Sequence, residues 1–133
     1  MKDKTTNKKE ANNKNVKDQT LKEKLDKVTP GNLLAMYTLG YLIKKDSEIY
    51  PQEILDETKK FITTWNVSHG TYYPMFKKLK DNGYVNLAYI FDSRKYYQIT
   101  EAGRAYYEEN ADRYKELLEI NMNFYNSIMN FLP

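Results

Sequence analysis

Cysteine is missing altogether from this 133-residue chain, which excludes disulfides and thiolate metal sites and fits a reducing compartment. Histidine and tryptophan occur once each, and the five glycines form no phosphate-cradling loop. One imidazole and no thiol leave little from which to build a nucleophile, a metal centre or a nucleotide cradle. An enzyme is therefore not expected, and no cofactor or metal is. The acids Glu108, Glu109, Asp112, Glu116 and Glu119 lie on a helical stretch whose polar face needs solvation in any case. No apolar run approaches the length needed to cross a bilayer, and no apolar stretch follows the lysine- and asparagine-rich start to make a signal peptide. A cytoplasmic protein with no membrane partner is the expectation.

What is present is tyrosine and charge. Thirteen tyrosines contribute to an apolar content of 41%, charged residues make up 29%, and the mean hydropathy is −0.82. That balance fits one domain with polar extensions. Residues 1–27 hold nine lysines against five acids, while the rest of the chain is close to neutral. Within that neutral remainder, residues 69–95 carry Lys77, Lys78, Lys80, Arg94 and Lys95 against Asp81 and Asp92 only. One basic region on a near-neutral domain is the electrostatic footprint a phosphate backbone selects, although a solvated surface produces such clusters too.

Residues 1–20 offer only Ala11 and Val16 as aliphatic side chains, so a disordered basic arm is expected there. The domain proper should span 21–100. After Pro30-Gly31, an apolar segment of about fourteen residues from Leu33 to Lys45 reads as a helix, apolar on nearly all sides and so packed on two faces. Pro51 opens a second helix with Glu53, Asp56 and Glu57 near its positive end. Its pattern fails around Thr63-Thr64-Trp65, and Ser68 caps a third helix about three residues later, the turn length of a helix-turn-helix. Trp65 reads as a core plug beneath that turn.

The third helix sets Met75, Phe76 and Leu79 on one side and lysines on another, tolerates Pro74 within its first two turns, and ends at Asn82-Gly83. Two strands follow, Tyr84–Phe91 and Lys95–Ile99. A three-residue tip, Asp92-Ser93-Arg94, would set Val85, Leu87 and Tyr89 on the face of Tyr97 and Ile99, whereas a two-residue tip would scatter the apolar side chains. Arg94 and Lys95 would then project from the end of the hairpin. A basic helix followed at once by a short hairpin is the layout of a winged helix-turn-helix, mainly α with a small β-hairpin. Its natural partner is double-stranded DNA. The candidate contact residues are Ser68, His69, Thr71 and Tyr73 at the start of the third helix, Lys77 and Lys78 further along it, and Arg94 and Lys95 on the wing. His69 suits a base reader and a surface cap equally.

Thr100 caps a last helix with no breaker before Pro133, about 32 residues, longer than a domain this small can cover. Tyr114, Leu118, Asn121, Tyr125, Ile128 and Leu132 recur along it at spacings of four and three, with Leu117 and Phe124 in a second row. A stripe this wide on an overhanging helix calls for a second chain, so 101–133 reads as a homodimerisation helix in which Asn121 fixes register. Folding back onto the chain's own first helix is the alternative.

The run Ser68-His69-Gly70-Thr71-Tyr72-Tyr73-Pro74, then Gly83-Tyr84, then Arg94-Lys95-Tyr96-Tyr97-Gln98-Ile99-Thr100-Glu101-Ala102-Gly103, resembles the PadR family of bacterial transcriptional regulators. The resemblance implies a dimeric repressor on an inverted-repeat operator. Its third helix would lie in the major groove, and its last helix against the partner's first. Thr71 and Tyr73 match positions that touch DNA, and Arg94-Lys95 match the basic pair of the wing. Three departures stand out: Pro51-Gln52 where the family has Gly-Tyr, Tyr72 where it has leucine, and a short wing. A small-molecule effector is common in such a family, but the residues identify none. Two other readings stay open: a plasmid- or phage-type winged helix for partition, replication or replication termination, and a winged helix kept only to bind proteins.

Overall fold

The computed structural model describes residues 27–61 and 68–133. The expected amino-terminal arm, the turn after the second helix and Trp65 lie outside the described residues. The elements are α1 (Pro30–Lys45), α2 (Pro51–Phe61), α3 (His69–Asp81), β1 (Val85–Phe91), β2 (Arg94–Ile99) and α4 (Glu101–Met129). The architecture is a winged helix-turn-helix with a long carboxy-terminal helix.

Helix α1 is the hub. The Thr29 hydroxyl accepts from the Asn32 N–H at 3.2 Å to cap it. Asp46 closes it in the left-handed region at φ 50°, its N–H donating to the Leu42 carbonyl. Between these ends Leu34, Ala35, Met36, Leu39 and Leu42 are buried. Helix α1 packs on α3 and α4 and touches β2, which explains why its sequence is apolar on nearly every side. The apolar core continues through Ile54 and Leu55 of α2, Tyr72, Met75, Phe76 and Leu79 of α3, then Val85, Tyr97 and Tyr106.

The hairpin departs from the expected tip. Asp92 and Ser93 alone form the turn, with φ of 51° and 63°, the left-handed pair of a type I′ hairpin. The two-residue tip divides the apolar residues between both faces only in part, because the strand register shifts between Leu87 and Tyr89, leaving Ala88 as a bulge. Val85 and Leu87 still pair with Ile99 and Tyr97, on the face toward the core. Beyond the bulge Tyr89 crosses to the other face and pairs with Tyr96, the two rings stacked at 4.8 Å. Ile49 adds one rung of a third strand, exchanging hydrogen bonds of 3.0 and 2.9 Å with Tyr97.

The junction of wing and α4 is tightly made. Gly83, at φ 78°, ends α3 in a Schellman arrangement: its N–H donates to the Lys80 carbonyl, and the Tyr84 N–H to that of Leu79. The Thr100 hydroxyl donates to the Gly83 carbonyl at 2.6 Å and accepts from the Gly103 N–H at 3.0 Å, which starts α4 against the end of α3. At Gly103 the helix passes so close to the Tyr84 carbonyl that a side chain would collide with it. The motif spacing from Thr100 to Gly103 is thus a packing requirement.

Helix α4 is 29 residues long, ending at Met129 rather than running to Pro133, and spans about 43 Å. Its first half packs on α1, with the Tyr107 ring against Gly40, while Tyr106 stacks on Tyr84 at 4.3 Å. Its second half extends past the domain.

Candidate nucleic-acid interface

Ser68 caps α3 by accepting from the Thr71 N–H at 3.2 Å, and its hydroxyl also bonds that of Thr71 at 3.2 Å. Both candidate contact residues are exposed, but each already has a partner in the cap. With Tyr72, Met75, Phe76 and Leu79 turned inward, the helical period leaves the remaining side chains outside on two flanks. His69, Tyr73, Lys77 and Lys80 lie toward the wing. Thr71 and Lys78 lie on the opposite flank.

The wing-side flank is one wall of a cleft of about 570 Å³. The other walls are Tyr50, Pro51, Gln52 and Asp56 at the start of α2, and Arg94, Lys95 and Tyr97 of β2. Four cations against the single acid Asp56 make it electropositive. Its floor is aromatic and ordered: Phe76 meets Tyr97 edge-on at 4.9 Å, and the Lys80 ammonium sits 5.5 Å from the centre of the Tyr97 ring. Tyr73, 39% exposed, meets His69 edge to face and donates its hydroxyl to the Gln52 side chain at 3.3 Å. Gln52 in turn donates to Asp56 at 2.9 Å. The departure at Pro51-Gln52 therefore supplies a side chain that orients Tyr73.

Of the predicted wing residues, Arg94 does not project from the tip. Its guanidinium carbon stacks 4.8 Å from the centre of the Tyr50 ring, turned back along the hairpin, and Lys95 lines the same cleft. Lys77 pairs with Asp81 at 2.9 Å across one helical turn, an exposed pair worth little, which a phosphate can replace. Lys80, Tyr50 and Gln52 were not among the candidates from sequence. Lys80 was visible as a basic residue one turn beyond Lys77, but nothing in the sequence places the Tyr50 ring under Arg94.

The candidate dimer residues divide along α4. Tyr114 is 4% exposed and belongs to the protomer's own core, while Leu117 and Leu118 are partly buried against it. Asn121 donates its amide to the Leu117 carbonyl at 2.8 Å, within its own helix. Phe124, Tyr125 and Ile128 are exposed, on the continuation of the face that Tyr114 buries, whereas Leu132, also exposed, lies past the helix end at Met129 and so off the expected stripe.

Sequence and structure comparisons agree on the family. A profile described as the transcriptional regulator PadR-like family matches residues 39–109. The chain belongs to this family. A transcriptional regulator from Clostridium thermocellum superposes with a TM-score of 0.58 at 26% identity, over 71% of this chain and 93% of that one. A PadR-like transcription factor from Bacteroides fragilis gives 0.56 at 24%, over 83% and 98%. A PadR family regulator from Clostridium difficile gives 0.55 at 18%, over 68% and 96%. A search of curated proteins returned no match. The fold and family are those of a DNA-binding transcription regulator, not of an enzyme. No described helix is long and apolar enough to cross a membrane.

Proposed function

We propose that this PadR-like regulator is a homodimeric repressor that reads an inverted-repeat operator in double-stranded DNA. The observation that carries the reading is the electropositive cleft between α3 and the wing, with Tyr73, Lys77, Lys80, Arg94 and Lys95 around it. A phosphate backbone seated there would be flanked by α3 in the major groove and by the hairpin beside it. Ser68, His69, Thr71 and Tyr73 stand nearest the base edges, with Lys78 on phosphates of the far flank. Residues up to 100 do the reading and 101–133 couple two copies.

Support for the coupling comes from two surfaces of one protomer. The exposed apolar face of α4 beyond Leu118 needs a cover, and α1 has a groove of about 620 Å³ along Tyr37, Gly40, Tyr41 and Tyr107. In a two-fold pair each fits the other's counterpart. The test is selection of genomic fragments on the purified protein, followed by footprinting. Single sites with two-fold symmetry overlapping promoters are expected, and reporter expression should rise when the gene is deleted. Arrays of sites away from promoters would instead indicate a partition or replication factor. No enriched fragment would overturn DNA reading.

A further inference from the structure

The end of the wing is apolar. With Arg94 turned back onto Tyr50, the side chains flanking the turn are Phe91, 67% exposed, and Ile90, 60% exposed. From Val85 to Phe91 the strand carries no charge at all, and Leu87, Tyr89, Ile90 and Phe91 are all exposed. Exposed aromatics in that number on a short strand mark a contact surface.

The geometry points to Phe91 as an apolar wedge that the wing drives into the minor groove of DNA. This rests on the DNA-binding reading above and gives the wing a role different from the basic finger its sequence suggests. Three features fit the occupant. Phe91 pairs across the hairpin with Arg94, and Ile90 with Lys95, whose charged ends lie on the cleft side at the base of the wing, so the apolar end is backed by two cations able to meet a phosphate bordering a groove. The groove is narrow, about 6 Å wide, and admits a side chain from a hairpin end rather than a helix. The strand behind Phe91 is braced, with Tyr89 stacked on Tyr96, and Tyr96 edge-on to Tyr50 at 5.6 Å. A phenyl ring presented from a braced strand can part a base step, and a parted step bends the duplex. The bulge at Ala88 is what carries Tyr89 and Phe91 to the face they share with Arg94 and Tyr96. Asp92 is repelled by phosphate, so the turn itself stays shallow and the contact falls to its flank.

The experiment measures binding of the full-length protein to its selected operator, with 2-aminopurine placed in turn at each adenine beside the half-sites. Wild type should raise the fluorescence at one step per half-site. Phe91→Ser, whose site is exposed and should fold normally, should abolish that rise and weaken binding about tenfold with an unchanged salt slope. Arg94→Gln should instead reduce the slope by about one. Asp92→Asn should tighten binding. Wild type that raises the fluorescence at no step, or Phe91→Ser that binds and unstacks as wild type does, overturns the wedge and leaves the DNA-binding reading standing. If the same variant keeps operator affinity but loses self-association in sedimentation, the strand is a protein contact and the wedge is wrong. Wild type that enriches no duplex fails before any variant is made, and removes both readings.

Discussion

The Tyr72 hydroxyl is buried completely and shares one hydrogen bond of 3.2 Å with the equally buried Thr38 hydroxyl. Leucine at this position would need no such partner, so the two polar residues form a matched pair across α1 and α3. Thr38→Val strands the tyrosine oxygen and should cost about 1–3 kcal/mol in urea denaturation, whereas adding Tyr72→Phe should recover most of that loss. Tyr114 is the opposite case. Its hydroxyl is buried with no hydrogen-bond partner among the described residues, and burial pushes its pKa up to about 12 from an ordinary value near 10. Folding thus favours the neutral phenol. Stability is fully present below pH 10 and falls as the pH rises toward 12, because only the unfolded chain ionises readily in that window. Tyr114→Phe should leave stability at neutral pH unchanged or higher and flatten its alkaline decline, read from denaturation midpoints between pH 8 and 11.

At the scale of elements, the junction of α3, the wing and α4 depends on one absent side chain. Gly103→Ala would force α4 away from the Tyr84 carbonyl and should destabilise the protein by about 3 kcal/mol or more, or prevent folding, whereas Gly31→Ala meets open space and should be tolerated. The caps Ser68 and Thr100, the stop at Gly83, the place of Pro74 and the inward turn of Tyr97 were legible in the sequence, whereas the Thr29 cap was not singled out there. Each is a local rule acting within a few residues. The hairpin was harder. Alternation of apolar residues cannot distinguish a three-residue tip from a two-residue tip followed by a bulge, because both return Val85 and Leu87 to the core face, and only the fate of Tyr89 and Phe91 differs. The candidate site was legible as a set of residue types on α3 and the wing. Its arrangement was legible only in part: the helical period divides Lys77 and Lys80 from Lys78, but the folding of Arg94 onto Tyr50 depends on where α2 begins in space.

At the scale of the molecule, the cationic cleft, the apolar end of the wing and the far half of α4 all stand open among the described residues. The same apolar stripe that buries Tyr114 continues exposed to Ile128, so length alone announced the overhang in the sequence, while the point at which the protomer's own core ends, near Leu118, needed the structure. Phe124→Glu with Ile128→Glu places two charges on the stripe without touching the protomer's core. Sedimentation should show a dimer for wild type and a monomer of 15.8 kDa with its helical content kept for the variant, and DNA affinity should fall because each half-site would be bound alone. The most direct test of the central claim, that the cleft between α3 and the wing holds the DNA backbone, is a fluorescence anisotropy titration of the operator across salt concentrations, comparing wild type with Lys77→Ala/Lys80→Ala. The account predicts a steep fall of affinity with salt in wild type and a slope shallower by about two per protomer in the variant, one for each lost phosphate contact. An identical slope for both proteins would contradict it.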